Sequence, residues 1–82
     1  MPITQDGPGI LKTPGVCGGA ACIRRTRIPV WLLEGFRRLG WSEAQILDNY
    51  PTLSAPDLTH AWAYVAAHPE EIDDAIRRNE EA

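Results

Sequence analysis

The sequence predicts a mainly α-helical fold: a trihelical helix-turn-helix core of the homeodomain-like kind, with an N-terminal β-ribbon ahead of it and an extra C-terminal helix behind it. Three observations predict this. The first 28 residues are rich in Gly and Pro and hold only short apolar runs. Apolar residues recur at helical spacing from Pro29 onward. Gly40, Pro51 and Pro69 cut that pattern into four pieces. Pattern alone fits a small helical bundle with no groove-reading face equally well.

In the arm, Ile10-Leu11-Lys12 and Ala21-Cys22-Ile23 are the strand candidates, with Gly18-Gly19 between them able to take the positive φ angles of a tight turn. A two-stranded ribbon is barely stable alone, so it should lie on the helices or pair with a second copy through its edge. Pro29 suits the first position of helix one, whose face of Val30, Leu32, Leu33, Phe36 and Leu39 stops at Gly40. Arg37 and Arg38 fall in its last turn, where cations suit the helix dipole. Ser42-Glu43-Ala44-Gln45 is a capping box opening a short second helix that buries Ala44, Ile46 and Leu47 and ends before Pro51. Ser54, with Asp57 three residues on, caps a third helix with a stripe of Leu58, Ala61, Trp62, Val65 and Ala66. After His68-Pro69 a fourth helix carries Glu70 and Glu71 in its first turn and Arg77 and Arg78 in its last, with Asp73–Arg77 and Asp74–Arg78 at i, i+4. Its apolar strip, Ile72, Ala75 and Ile76, can pack on the third helix or receive a partner.

With 82 residues the chain has room for one domain: an extended arm over 1–28, the trihelical core over 29–67 and the last helix over 69–80. A chain this short buries only about 60% of its unfolded surface, so a homodimer is expected. No apolar run approaches the roughly 20 residues of a membrane span, and the amino terminus lacks the basic start and apolar stretch of a secretion signal. The expected compartment is the cytoplasm, where Cys17 and Cys22 stay reduced.

Charge divides the chain. Residues 1–41 hold six cations against two acids, a net +4, while residues 42–82 hold two cations against nine acids, a net −7. Such an acidic chain is poorly suited to coating nucleic acid, yet a local basic patch can still dock on a duplex. The cations nominated for binding DNA or a protein partner are Lys12, Arg24, Arg25, Arg27, Arg37 and Arg38, because guanidinium forks match phosphates and carboxylates. The competing reading is a solvated loop, or arginines pairing with the acidic carboxyl half. Exposed residues of the third helix, read as Ala55, Asp57, Thr59, His60 and Ala63, are a poor set for base edges, so protein binding ranks above DNA binding.

Trp62 and Phe36 are assigned to the core. Trp31, beyond the main stripe of helix one, and Trp41, just after Gly40, are nominated with Ile72 and Ile76 as a partner interface. No metal or other cofactor is expected. Cys17, Cys22, His60 and His68 lack zinc-site spacing, since eight helical positions separate the histidines by about 12 Å. Phosphate loops, nucleophile elbows and paired-histidine motifs are missing from the sequence, so the chain reads as a binding module rather than an enzyme.

Gly18-Gly19, Ile23-Arg24, Thr26-Arg27-Ile28-Pro29-Val30, Tyr50-Pro51-Thr52-Leu53 and Ala61-Trp62-Ala63-Tyr64 together resemble the small prokaryotic family known as domain of unknown function 433, over roughly residues 9 to 76. The resemblance implies a helix-turn-helix antitoxin encoded beside a toxin of PIN-like ribonuclease fold, able to neutralise that toxin and to repress its own operon. The alternatives are a stand-alone DNA-binding regulator and a structural dimer module. Two positions depart from the family pattern: Ala21 stands where proline is usual, and Arg25 where glycine is usual, so the role of that glycine does not transfer to Arg25.

Overall fold

A computed structural model describes residues 4–5, 9–12, 20–24 and 26–81. Three short strands, β1 (Thr4–Gln5), β2 (Ile10–Lys12) and β3 (Ala21–Ile23), form an antiparallel sheet in the order β1-β2-β3. Ile10 lies opposite Ile23 and Lys12 opposite Ala21. The two strands read from sequence are both present; β1 was not foreseen, and the expected Gly18-Gly19 turn lies outside the described residues. Ile10, Ala21 and Ile23 are buried, so the ribbon is one wall of the core.

Four helices follow: α1 (Val30–Arg38), α2 (Glu43–Asn49), α3 (Ala55–Ala67) and α4 (Pro69–Glu81). The first three form the trihelical core, with α2, the 50–54 turn and α3 as its helix-turn-helix unit. Pro29 is the N-cap of α1 rather than its first helical residue, in extended conformation and bridged to Cys22 of the ribbon. Gly40, at φ 93°, closes the helix. The capping box of α2 has both bonds: Gln45 N donates to Ser42 Oγ at 3.2 Å and Ser42 N to Gln45 Oε1 at 2.8 Å. In the Tyr-Pro-Thr-Leu turn, Leu53 N donates to the Tyr50 carbonyl at 2.9 Å, and this bond delivers the Leu53 side chain into the core. At the start of α3 the Asp57 carboxylate accepts from Ser54 N at 2.9 Å and from Ser54 Oγ at 3.1 Å.

The core gathers Ile10 and Ile23 from the sheet, Val30 and Leu33 from α1, Ile46 from α2, Leu58, Ala61, Tyr64 and Val65 from α3 and Ile72 from α4. Five expectations differ from the structure. Leu39 is 77% exposed, because nine positions at about 100° each place it opposite Val30 on the helix. Ala44 and Ala66 are exposed. The buried stripe of α3 runs through Leu58, Ala61, Tyr64 and Val65, turned away from the expected Trp62, which is half-buried. Asp73 pairs with Arg38 of α1 rather than with Arg77, which takes Asp74 at 3.3 Å. The α4 strip packs on both α1 and α3, and Ile72 is 2% exposed, so it belongs to the chain's own core and not to a partner surface.

Candidate partner-binding site

Between β3 and α1 the chain makes a braced turn around Thr26. Ile23 N donates to the Ile28 carbonyl at 3.0 Å and Thr26 N to the Ile23 carbonyl at 3.0 Å. Thr26 Oγ1 donates to the same Ile23 carbonyl at 2.8 Å and accepts from Ile28 N at 3.1 Å. Arg24 N donates to the Gly9 carbonyl at 2.7 Å, tying the turn to the start of β2. Threonine suits this position because its hydroxyl both gives and accepts while its stiff χ1 holds the side chain in place. The side chains of Arg24 and Arg27 are exposed on this turn. Arg25 lies outside the described residues.

Lys12, Arg37 and Arg38 meet carboxylates of the chain itself. Lys12 Nζ lies 3.0 Å from Glu71 Oε1, and Tyr64 Oη donates to the second oxygen of Glu71 at 2.7 Å, so Glu71 ties α4 to β2 and α3. Glu34, 5% exposed, accepts from Arg37 Nε at 2.6 Å and from Arg38 Nε at 3.0 Å. Arg38 also donates to Asp73 of α4. Its pKa is held above the ordinary guanidinium value, first by the Asp73 hydrogen bond and then by Glu34. Arg37 further lies 4.3 Å from the Trp62 ring, whose Nε1 donates to Glu43 Oε2 at 2.9 Å. Sequence reasoning missed Glu34 as the hub of this network, although its i, i+3 and i, i+4 spacing to Arg37 and Arg38 was there to be read.

The helix-turn-helix face is acidic. From Leu39 to Ile76 the sequence has no Lys or Arg, and α2 and α3 carry Glu43, Asp48 and Asp57. His60, read as an exposed position of α3, is instead half-buried; its Nδ1 is buried against Gly9 with no hydrogen-bond partner among the described residues. His68 caps the end of α3, with its ring stacked on Tyr64 at 4.4 Å. Cys22 is buried and its Sγ lies 3.5 Å from the Ala20 carbonyl. Among the described residues no group of three or more His, Cys, Asp or Glu side chains is gathered as metal ligands, and no helix is long and apolar enough to cross a membrane.

A second surface feature is a cleft of about 590 Å³ between α1 and α4. Trp31, Leu32, Phe36, Leu39 and Ile76 supply its apolar lining, with Arg38, Asp73, Arg77 and Glu80 around them. Of the four nominated interface residues, Trp31 and Ile76 therefore share one cavity. Trp41 is outside it, half-buried and stacked on Phe36 at 4.4 Å, and Ile72 is beneath it in the core.

Residues 10–65, from β2 through most of α3, match the family model described as "Protein of unknown function (DUF433)". The chain belongs to the DUF433 family. A crystal structure of a DUF433 member protein from Anabaena variabilis is similar to it, with 52% sequence identity, a TM-score of 0.82, and coverage of 84% of this chain and 68% of the other. No curated protein matches. The family match spans the Thr26 turn and the Tyr-Pro-Thr-Leu turn, while α4, which supplies Glu71, Ile72 and Asp73 in this DUF433 chain, lies beyond it.

Proposed function

We propose that this chain is the antitoxin of a type II toxin-antitoxin pair, a non-catalytic module that binds and silences a PIN-like ribonuclease. The observation that carries the proposal is the Thr26-braced turn, which presents Arg24 and Arg27 to solvent on a backbone already ordered by five hydrogen bonds. A pre-ordered cationic loop loses little conformational entropy on binding. Guanidinium forks grip carboxylates in pairs, and a nuclease that gathers acids around its metal offers such carboxylates. Inserted there, the loop neutralises the acids and blocks the substrate's path.

Repression of the chain's own operon takes second place in this reading. A recognition helix is expected to bring Arg, Lys, Asn or Gln to base edges, whereas α3 brings Asp57 and carries no cation. Basic contacts to phosphate would have to come from outside α2 and α3, from residues such as Arg24 and Arg27.

The proposal is tested by mixing the chain in equal amounts with the PIN-like ribonuclease encoded beside it and following RNA cleavage. Cleavage is expected to stop, and the Arg24→Glu, Arg27→Glu double variant, checked by circular dichroism to be folded, is expected to lose inhibition by about tenfold or more. A nuclease that remains fully active beside the unaltered chain refutes the proposal.

A further inference from the structure

Of the five hydrogen bonds that order the Thr26 turn, four stay within residues 23–28 and fix its shape. The fifth leaves it: Arg24 N donates to the Gly9 carbonyl at 2.7 Å, so the place of Arg24 on the molecule depends on where the Gly9 peptide rests. Gly9 rests on α3. Its φ is 73°, and a Cβ built on it would lie 3.0 Å from His60 Cγ and closer still to Nδ1, so this backbone approaches the imidazole as only a glycine can. His60 is half-buried, and the Nδ1 edge of its ring is sealed from water. The ring is a firm support, because α3 is itself fixed in the core by Leu58 and Ala61 beside His60.

We infer that His60 is a positioning residue for the partner-binding turn: it touches no partner itself, but its ring seats Gly9, and Gly9 seats Arg24. The inference rests on the turn being the surface that holds the nuclease, and it adds to that reading the route by which α3 sets the geometry of the turn. A guanidinium fork grips a carboxylate only when both N–H groups are in line with its oxygens, so a shift of the backbone that carries Arg24 weakens the grip without removing a charge. His60 differs in this from Arg24 and Arg27, whose replacement changes the charge itself.

Amide hydrogen exchange of the full chain, followed by NMR at one pH and temperature, reads the link without the nuclease. His60→Ala removes the ring and is expected to speed exchange of the Arg24 N–H by about tenfold or more, while the Leu53 N–H, bonded to the Tyr50 carbonyl ahead of α3, changes by less than about twofold. His60→Asn keeps atoms at the places of Cγ and Nδ1 and is expected to hold Arg24 exchange within about threefold of the unaltered chain. In the nuclease assay His60→Ala is expected to weaken inhibition by about tenfold and His60→Asn to restore most of it, and the His60→Ala loss is expected to vanish in the Arg24→Glu, Arg27→Glu background. Equal acceleration at Arg24 and Leu53 overturns the inference, because His60 then serves the fold alone. Inhibition unchanged by His60→Ala also overturns it, as does a loss that persists undiminished in the double-glutamate background. Arg24 exchange that responds as expected, in a chain that inhibits no nuclease, supports the seating of Arg24 by His60 and counts against the proposed function alone.

Discussion

Glu34→Gln tests whether Arg37 and Arg38 are structural. The carboxylate is 5% exposed and accepts from both guanidinium groups, at 2.6 and 3.0 Å. A hydrogen bond to a charged group is worth about 1.5–3 kcal/mol when both partners are desolvated. Here the arginine side chains are 43% and 44% exposed, so each can turn to water when its acceptor weakens, and the loss per contact falls to about 0.5–1 kcal/mol. The amide keeps the volume and one carbonyl acceptor but aims an NH₂ at one of the arginines. The expected loss is about 1–2 kcal/mol, or roughly 4–15 °C in melting temperature for a domain this small. Thermal unfolding followed by circular dichroism reads it. Arg38, with its pKa raised by Asp73 and then Glu34, contributes its stabilisation at all pH below the ordinary guanidinium value and loses it only as pH rises through the higher folded value. Its share of the Glu34→Gln effect should therefore be unchanged between about pH 6 and about pH 9. A melting temperature within about 1 °C of wild type would show that Glu34 does not hold these arginines, and would return both to the set of partner-binding residues.

Two further predictions concern how the outer elements are anchored. Gly9→Ala places a Cβ on the His60 ring, closer to Nδ1 than a real Cβ approaches, on a backbone with φ 73°. We expect a loss of about 2–4 kcal/mol from the left-handed conformation and the clash together, of which the Gly9→Ala, His60→Ala pair recovers the clash; additive losses in a chemical-denaturation cycle would show that ribbon and α3 do not meet there. Ile72→Ala opens a cavity under α4 and should cost about 2–4 kcal/mol in urea unfolding, whereas a loss below about 0.5 kcal/mol would mean that α4 is not docked on the core.

The local elements were legible because their causes are local. Ser42 with Gln45 and Ser54 with Asp57 sit at capping distance, Gly40 can take a positive φ, and proline cannot continue a helix, so strands β2 and β3 and all four helices follow from neighbouring residues. The exposed pair Arg24 and Arg27 was also legible as a charge cluster. The order of that turn was not, because it depends on Thr26 closing bonds to Ile23 and Ile28 and on Arg24 reaching Gly9, fifteen positions back along the chain.

What the chain's sequence by itself determined was strands β2 and β3, the four helices with most of their ends, and the family. Only the tertiary structure decided which face of each helix is inside. On α1 and α3 the apolar residues run so far around the axis that periodicity admits more than one inward stripe, and packing chose Leu33 over Leu39 and Tyr64 over Trp62. It also decided the fate of the cations. Lys12 and Glu71 are 59 positions apart, Arg38 and Asp73 are 35 apart, and no local spacing encodes pairs that form only when α4 folds back across the ribbon and α1.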